Sequence, residues 1–213
     1  QGTAEIRSEA LRLTAAGSET FAWAGTGGSP IFFGNIQSIS FQINFAAIPS
    51  DTIGRHGGCV VCCSEPTERW SGSMSGYMID WIDRSGDHGY RILKMTNGEH
   101  TGIGSVSAPA DPGSVWTIQF SGNSFTVLID GASIGTFTDS SYREGYLGFW
   151  CYQNAGQDIR FDNVQVEYTP VTTDFTGGNN GLLGPDATTA EGIIGEGALS
   201  FQNTTDSFVN VGP

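Results

Sequence analysis

Eight residues constrain this chain more than any others. In Ser38-Ile39-Ser40-Phe41-Gln42-Ile43-Asn44-Phe45 apolar and polar residues alternate without a break. That period of two puts Ile39, Phe41, Ile43 and Phe45 on one face of a strand, half buried and half wet. Trp116, Ile118 and Phe120 repeat the pattern, and Phe125, Val127 and Ile129 resume it after Gly122-Asn123. Asp130-Gly131 is a tight-turn signal, because both residues tolerate positive φ. Ser114 to Phe137 therefore reads as a three-stranded meander. Further strands are expected at Glu5 to Leu13, Phe21 to Ala24, Gly58 to Cys63, Gly76 to Asp83, Tyr90 to Met95, Tyr146 to Tyr152 and Asp158 to Tyr168. Breakers such as Ser85-Gly86-Asp87 and Ala110-Asp111-Pro112-Gly113 separate them. No twelve-residue segment carries a helical stripe. The expected fold is all-β: a two-sheet antiparallel jelly-roll sandwich with an irregular C-terminal tail.

Composition narrows the function classes. Lys plus Arg number 9 against 22 Asp plus Glu, a formal net charge of −13. Nucleic acid is excluded as a partner, because phosphate binding needs basic residues. No apolar run reaches membrane-spanning length, so no membrane insertion is expected. Gly fills 31 of 213 positions and only 15% of residues are charged, against about 25% in ordinary globular chains. Gly, Ser and Thr in place of Lys and Glu, with many aromatics, give the look of a secreted β-protein. No basic segment followed by an apolar core opens the chain, and Gln1 fits either a mature end or an arbitrary boundary. Extracellular localisation is the expectation.

The chain divides by composition. Residues 1–168 form the sandwich, 169–176 a Thr/Pro linker, and 177–213 a tail. From Asp174 onward there are five acids and no Lys or Arg. The tail has two β-type segments, Ala198 to Phe201 and Phe208 to Val211, too little to bury a core alone.

Several ordered motifs carry a resemblance. They are Cys59-Val60-Val61, Ser75-Gly76-Tyr77-Met78-Ile79-Asp80-Trp81, Tyr90-Arg91-Ile92-Leu93-Lys94, Gly145-Tyr146-Leu147-Gly148-Phe149-Trp150-Cys151-Tyr152 and Ile159-Arg160-Phe161-Asp162-Asn163-Val164. Over about residues 30 to 168 the chain resembles the concanavalin-A-like (L-type lectin-like) sandwiches, and most closely the thrombospondin C-terminal domain. The tail, through Gly192-Ile193-Ile194-Gly195-Glu196-Gly197-Ala198-Leu199-Ser200-Phe201 and Ser207-Phe208-Val209-Asn210-Val211, resembles the opening of a laminin-G-like domain. The resemblance implies the fold, and much less the function.

Enzyme signatures are missing. His56, His88 and His100 form no metal-ligand pair. Glycosidases on this sandwich need two carboxyls about 5 Å apart. The nearest approach, Asp80-Trp81-Ile82-Asp83, places its acids on opposite faces of a strand. A non-catalytic role is expected.

Two association roles compete. One is an extracellular adhesive or structural subunit, assembling into a homopolymeric filament by adding its tail strand to the next copy. The alternative is a carbohydrate-binding module of a larger secreted protein, with glycans as partners. Sugar sites combine exposed aromatic rings with polar side chains. Trp70, Tyr77, Trp81, Tyr90, Trp150 and Tyr152 are the available rings, although most aromatics of a sandwich belong to its core. Trp70, with Arg69, sits in a polar loop and is the first candidate contact, with Tyr77 and Tyr152 behind it. If Met78 and Asp80 point outward, Tyr77, Ile79 and Trp81 form a core stripe.

Calcium is the metal expected if there is one, since acidic loops offer oxygen ligands. Asp83, Asp87 and Asp162 lead the candidates, with Asp111, Asp130 and Asp139 behind them; the resemblance strengthens this expectation, because the thrombospondin family is calcium-rich. Cys59, Cys62, Cys63 and Cys151 form no zinc pattern. Strand alternation sets Cys59, Val61 and Cys63 on one face and Cys62 on the other. By the resemblance, Cys151 runs in the same sheet region, which implies one disulfide between it and Cys59, Cys62 or Cys63; buried free thiols are the other reading. Asn203-Thr204-Thr205 is the only Asn-x-Ser/Thr sequon, making Asn203 the glycosylation candidate.

Overall fold

A computed structural model describes residues 3–7, 10–14, 19–26, 29–45, 55–67, 71–84, 87–107, 113–152, 158–169, 197–200 and 208–209. Trp70, Arg69, Asp111 and Asn203 lie outside them. The described chain is all β. Its strands are β1 (Thr3–Arg7), β2 (Ala10–Thr14), β3 (Glu19–Thr26), β4 (Ser29–Pro30), β5 (Phe32–Phe33), β6 (Asn35–Phe45), β7 (Arg55–Cys63), β8 (Gly76–Arg84), β9 (Asp87–Thr96), β10 (Glu99–Val106), β11 (Val115–Ser121), β12 (Ser124–Ile129), β13 (Ala132–Thr138), β14 (Gly145–Tyr152), β15 (Asp158–Thr169), β16 (Gly197–Ser200) and β17 (Phe208–Val209).

They make two antiparallel sheets. The eight-stranded sheet runs β1-β2-β15-β6-β11-β12-β13, with β16 also on β15. The nine-stranded sheet runs β10-β9-β8-β7-β14-β3-β17, with β4 on β3 and β5 on β14. The alternating segment is β6, and its Ile39, Phe41 and Ile43 are fully buried. Phe41 is the hub of the core, with ring centroids 5.5 Å from Trp116, 5.1 Å from Phe149 and 5.9 Å from Phe161. The meander forms as expected, and Asp130 and Gly131 take φ values of 50° and 79° in its second turn.

The two sheets differ in a way that positions the site. In the eight-stranded sheet the outward residues of β6 are polar, as alternation demands. The nine-stranded sheet is apolar on both faces. Its inner face supplies Tyr77, Ile79, Trp81, Tyr90, Ile92 and Phe149 to the main core. Its outer face carries a second cluster: Phe21, Trp23, Val60, Cys63, Met74, Met78, Met95 and Trp150. The Tyr77-Ile79-Trp81 stripe is thus present. Met78 and Asp80 point outward as expected, yet both are buried.

Two expectations are corrected here. All four cysteines are free and buried. On the β7–β14 ladder Cys59 pairs with Phe149, and Cys151 with Gly57. Cys59 and Cys151 are therefore diagonal neighbours, about 7–8 Å apart, while a disulfide needs Cα atoms closer than about 7 Å. Cys63 does not share the face of Cys59 and Val61. Cys62 takes a positive φ of 53°, and the β7–β14 register slips there. This bulge keeps Cys62 in the main core and turns Cys63 to the outer cluster. Burial pushes the Cys62 thiol up to about 12 and the Cys63 thiol up to about 11. Cys59 and Cys151 are raised for the same reason, so all four thiols are held protonated and unreactive.

The tail segments pair within the chain. β16 runs antiparallel to residues 165–168 of β15, and β17 pairs with Ala24 and Trp23 of β3. Among the described residues no helix is long and apolar enough to cross a membrane.

Candidate functional site

The outer face of the nine-stranded sheet is built by register. Ser105, Arg91, Asp80, Gly58, Trp150 and Phe21 stand side by side across β10, β9, β8, β7, β14 and β3. The next row is Gly102, Leu93, Met78, Val60, Gly148 and Trp23. Phe21 stacks between Trp23 and Trp150, at centroid distances of 5.8 and 6.2 Å. Gly148 is required beneath this ladder: a Cβ there would sit 2.8 Å from the Trp23 ring.

One ion pair interrupts this apolar surface. Arg91 donates from Nε to Asp80 Oδ1 at 3.1 Å and from Nη2 to Asp80 Oδ2 at 2.5 Å. The Asp80 side chain is 0% exposed and that of Arg91 is 32% exposed. Burial raises the pKa of Asp80, while the guanidinium opposes that rise. Such a fork holds a guanidinium in one plane. His100 joins the same face opposite Met95. Partial burial and the charge of Arg91 lower its pKa, so it is neutral at pH 7. The rings of this ladder are themselves covered: Phe21, Trp23 and Trp150 are each 3% exposed or less.

One end of this face is covered by residues 64–67 and 71–75. Trp23 Nε1 donates to the Thr67 carbonyl at 2.9 Å, and Met74 enters the outer cluster. Glu65 Oε1 accepts hydrogen bonds from Ser71 and Ser73, which hold its pKa below the ordinary value. Phe32, 47% exposed, packs edge-on against Tyr146 at 5.4 Å.

The residues singled out from sequence meet different fates. Tyr77 is not a surface contact: it is buried, and its hydroxyl donates to Asp139 Oδ1 at 2.5 Å. Core alternation places it, since Ile79 and Trp81 share its face. Tyr152 lies half buried on the outer face, packed against the second cluster. The Asp139 carboxylate is engaged by the Lys94 ammonium, 2.9 Å from its Oδ2. Asp162 Oδ1 accepts from the Asn163 amide at 2.6 Å, where Asn163 takes a positive φ of 52°. It serves the β15 bulge. Asp130 Oδ1 accepts from the Val115 amide at 2.8 Å and likewise serves a turn. Asp83 pairs with His88 and Asp87 with Arg84 on the β8–β9 ladder, so the two acids do not stand opposite each other. Among the described residues no group of three or more His, Cys, Asp or Glu is placed to hold a metal ion.

Arg91 and His100 were not singled out as contacts from sequence. The available signal was Asp80 itself: a carboxylate between Met78 and Ile82 on an apolar strand needs a partner.

No protein-family model matches the chain, and no curated protein matches it significantly. Solved structures do. The chain is similar to the carbohydrate-binding module CBM66 from Bacillus subtilis, at 17% identity over 77% of this chain and 90% of that one, with a TM-score of 0.57. A Bacillus subtilis protein of unknown function with a galectin-like fold matches at 13% identity, covering 78% and 86% of the two chains, with a TM-score of 0.58. The exoplasmic/lumenal domain of VIP36, solved in a Ca2+/Man3GlcNAc-bound form, matches at 11% identity over 78% and 81%, with a TM-score of 0.54. At these identities the likeness establishes the fold: a lectin-like, concanavalin-A-like β-sandwich.

Proposed function

We propose that this chain is a non-catalytic carbohydrate-binding module working in an extracellular or lumenal space, with the outer face of its nine-stranded sheet as the ligand face. The observation that carries this reading is the Asp80–Arg91 fork, a part-exposed ion pair beside a buried aromatic cluster. The solved neighbours support it, since they include a carbohydrate-binding module and a lumenal domain crystallised with a glycan. The neighbours do not reach the thrombospondin-like and laminin-G-like likenesses, which rest on sequence motifs alone.

Self-assembly through the tail takes second place. The two segments it requires, β16 and β17, pair within the chain on β15 and β3. Calcium has support from the VIP36 neighbour. The described acids do not form a site for it, so a calcium requirement would rest on residues such as Asp83 and Asp87, whose side chains lie outside the description. A glycan array probed with the full chain, with and without chelator, tests the reading. Retention of at least one saccharide, reduced by replacing Arg91, is expected. No retention of any saccharide refutes it.

A further inference from the structure

Sulfur is distributed unevenly in this molecule. The chain has three methionines, Met74, Met78 and Met95. All three are buried in the outer cluster of the nine-stranded sheet together with Cys63, so sulfur side chains make up half of its eight buried members. The main core holds no methionine. Register brings these side chains to one end of the face. Gly76 of β8 stands opposite Met95 of β9, and Met95 stands opposite His100 of β10. Cys63 lies on the other side of Gly76, where an added Cβ would sit 3.0 Å from the Cys63 Cα. Gly76 has no side chain, so Cys63 and Met95 flank a bare position on strands about 10 Å apart. Met78, the next outward residue of β8, stands diagonal to Met95. Met74 enters from the covering residues. Its sulfur accepts a hydrogen bond from the Thr67 hydroxyl at 3.2 Å, and its carbonyl accepts from the Gly98 amide at 2.8 Å.

We propose that Cys63, Met74, Met78 and Met95 form a binding site for a soft monovalent cation of the Cu(I) class, with His100 at its solvent-facing rim. Thioether and thiol donors select such an ion, whereas calcium takes oxygen ligands. The site would exist whether or not the chain binds saccharides. Thioethers have no proton to lose, so the three methionines are competent donors at any pH. Burial keeps the Cys63 thiol protonated near neutrality, which leaves the thioethers to carry the binding. Methionine is unbranched with three rotatable bonds, so its sulfur can turn toward an ion without moving the strands. His100 is exposed and neutral at pH 7, as an imidazole ligand must be. The net charge of −13 favours the approach of a cation. Apolar packing alone gives little reason for this composition. A buried methionine loses more rotamer freedom than a buried leucine, and the main core is built without one.

The test titrates the full chain with Ag+, an air-stable soft cation, and with Cu+ kept reduced under anaerobic conditions against a competing chelator. Tryptophan emission reads it, because Trp23 and Trp150 belong to the same cluster. One ion per folded chain should bind and quench, and Ca2+ should neither quench nor compete. Cys59, Cys62 and Cys151 lie in the main core, out of reach of the ion while the chain is folded. Met78→Leu and Met95→Leu nearly conserve volume. Each should weaken binding by about 10-fold or more, the scale on which even outer-shell changes act at metal sites. If either variant does not fold, the methionine methyl resonances of the unaltered chain decide instead. All three should shift together as one equivalent of Ag+ is added. Absence of stoichiometric binding by the folded chain would overturn the proposal. So would methyl resonances that stay in place, or binding that Cys63→Ser abolishes and the leucine variants leave unchanged, since that is capture by a thiol alone.

Discussion

Replacing Asp139 with Asn probes the end of the sandwich where the chain crosses from β13 to β14. Its carboxylate accepts from the Tyr77 hydroxyl at 2.5 Å, the Lys94 ammonium at 2.9 Å and the Ser141 amide at 2.8 Å. Its backbone carbonyl accepts from Arg143, whose guanidinium lies 5.0 Å from the Phe120 ring. Hydrogen bonds to a charged group contribute about 1.5–3 kcal/mol and neutral ones about 0.5–1.5 kcal/mol. Asn keeps the shape and loses the charge, so two to three such bonds each weaken by about 1 kcal/mol. Lys94 is 26% exposed, and screening reduces the sum to about 2 kcal/mol. For a chain of this size that is a fall in Tm of about 4–8 °C.

The same site sets a pH dependence. Burial works to raise the pKa of Asp139, but the hydrogen bonds from Tyr77, Lys94 and Ser141 outweigh it and hold the carboxyl well below its ordinary 3.8. A depressed folded pKa contributes stability that is present above the unfolded value and lost as pH falls toward the folded one. Urea denaturation of both proteins should give a gap that is constant near neutrality and closes as pH falls below about 4. A gap of the same size at both ends of that range would refute the role given to the Asp139 charge.

Other outcomes follow from single features. Phe41→Ala should destabilise by about 3–5 kcal/mol, because it empties the ring that meets Trp116, Phe149 and Phe161; chemical denaturation measures it, and a loss below about 1 kcal/mol would mean that another ring holds the core together. The four thiols should resist alkylation in the native protein and react together on unfolding; intact mass before and after denaturant reads this, and a disulfide mass would reverse the correction made above. Amides of β15 around residues 165–168 should lose hydrogen-exchange protection when the chain is cut after residue 169, and protection in the full chain should not vary with protein concentration. Protection that rises with concentration would instead assign the tail to a neighbouring copy.

Much of the fold was legible because β6, β11 and β12 obey one rule, and a rule of period two needs no tertiary information. Asp130-Gly131 was legible for the same local reason. What escaped was non-local. β1 and β2 form a hairpin where one strand from Glu5 to Leu13 was expected, although the connection carries no glycine or proline. β10 was missed because Glu99, His100 and Thr101 lack an apolar stripe, though Asn97-Gly98, with φ values of 49° and 78°, marks the turn that leads into it. Cys63 was put on the wrong face by a single bulge that alternation cannot foresee. In the site, Tyr77 was read as a contact although its alternation with Ile79 and Trp81 already marked it as core.

The remaining difficulty was a sheet with two apolar faces. Runs such as Gly145-Tyr146-Leu147-Gly148-Phe149-Trp150-Cys151-Tyr152 do not alternate, because both faces of β14 are occupied. Sequence alone gives such a run no inside and outside. The register supplies them: Leu147, Phe149 and Cys151 join the main core, while Trp150 joins the outer cluster with Phe21 and Trp23. Once the outer face is defined, an aspartate at Asp80 stops being a strand residue with an awkward charge. It becomes the buried half of a fork whose other half, Arg91, reaches solvent. An apolar pair of similar volume would pack as well or better, since buried ion pairs seldom add net stability. Stability alone therefore gives little reason for this pair, and the proposed role in recognition would give one. Replacing both together by Asp80→Leu and Arg91→Met should leave stability unchanged or raised and remove saccharide binding. A double variant that still binds would put the ligand somewhere other than this face.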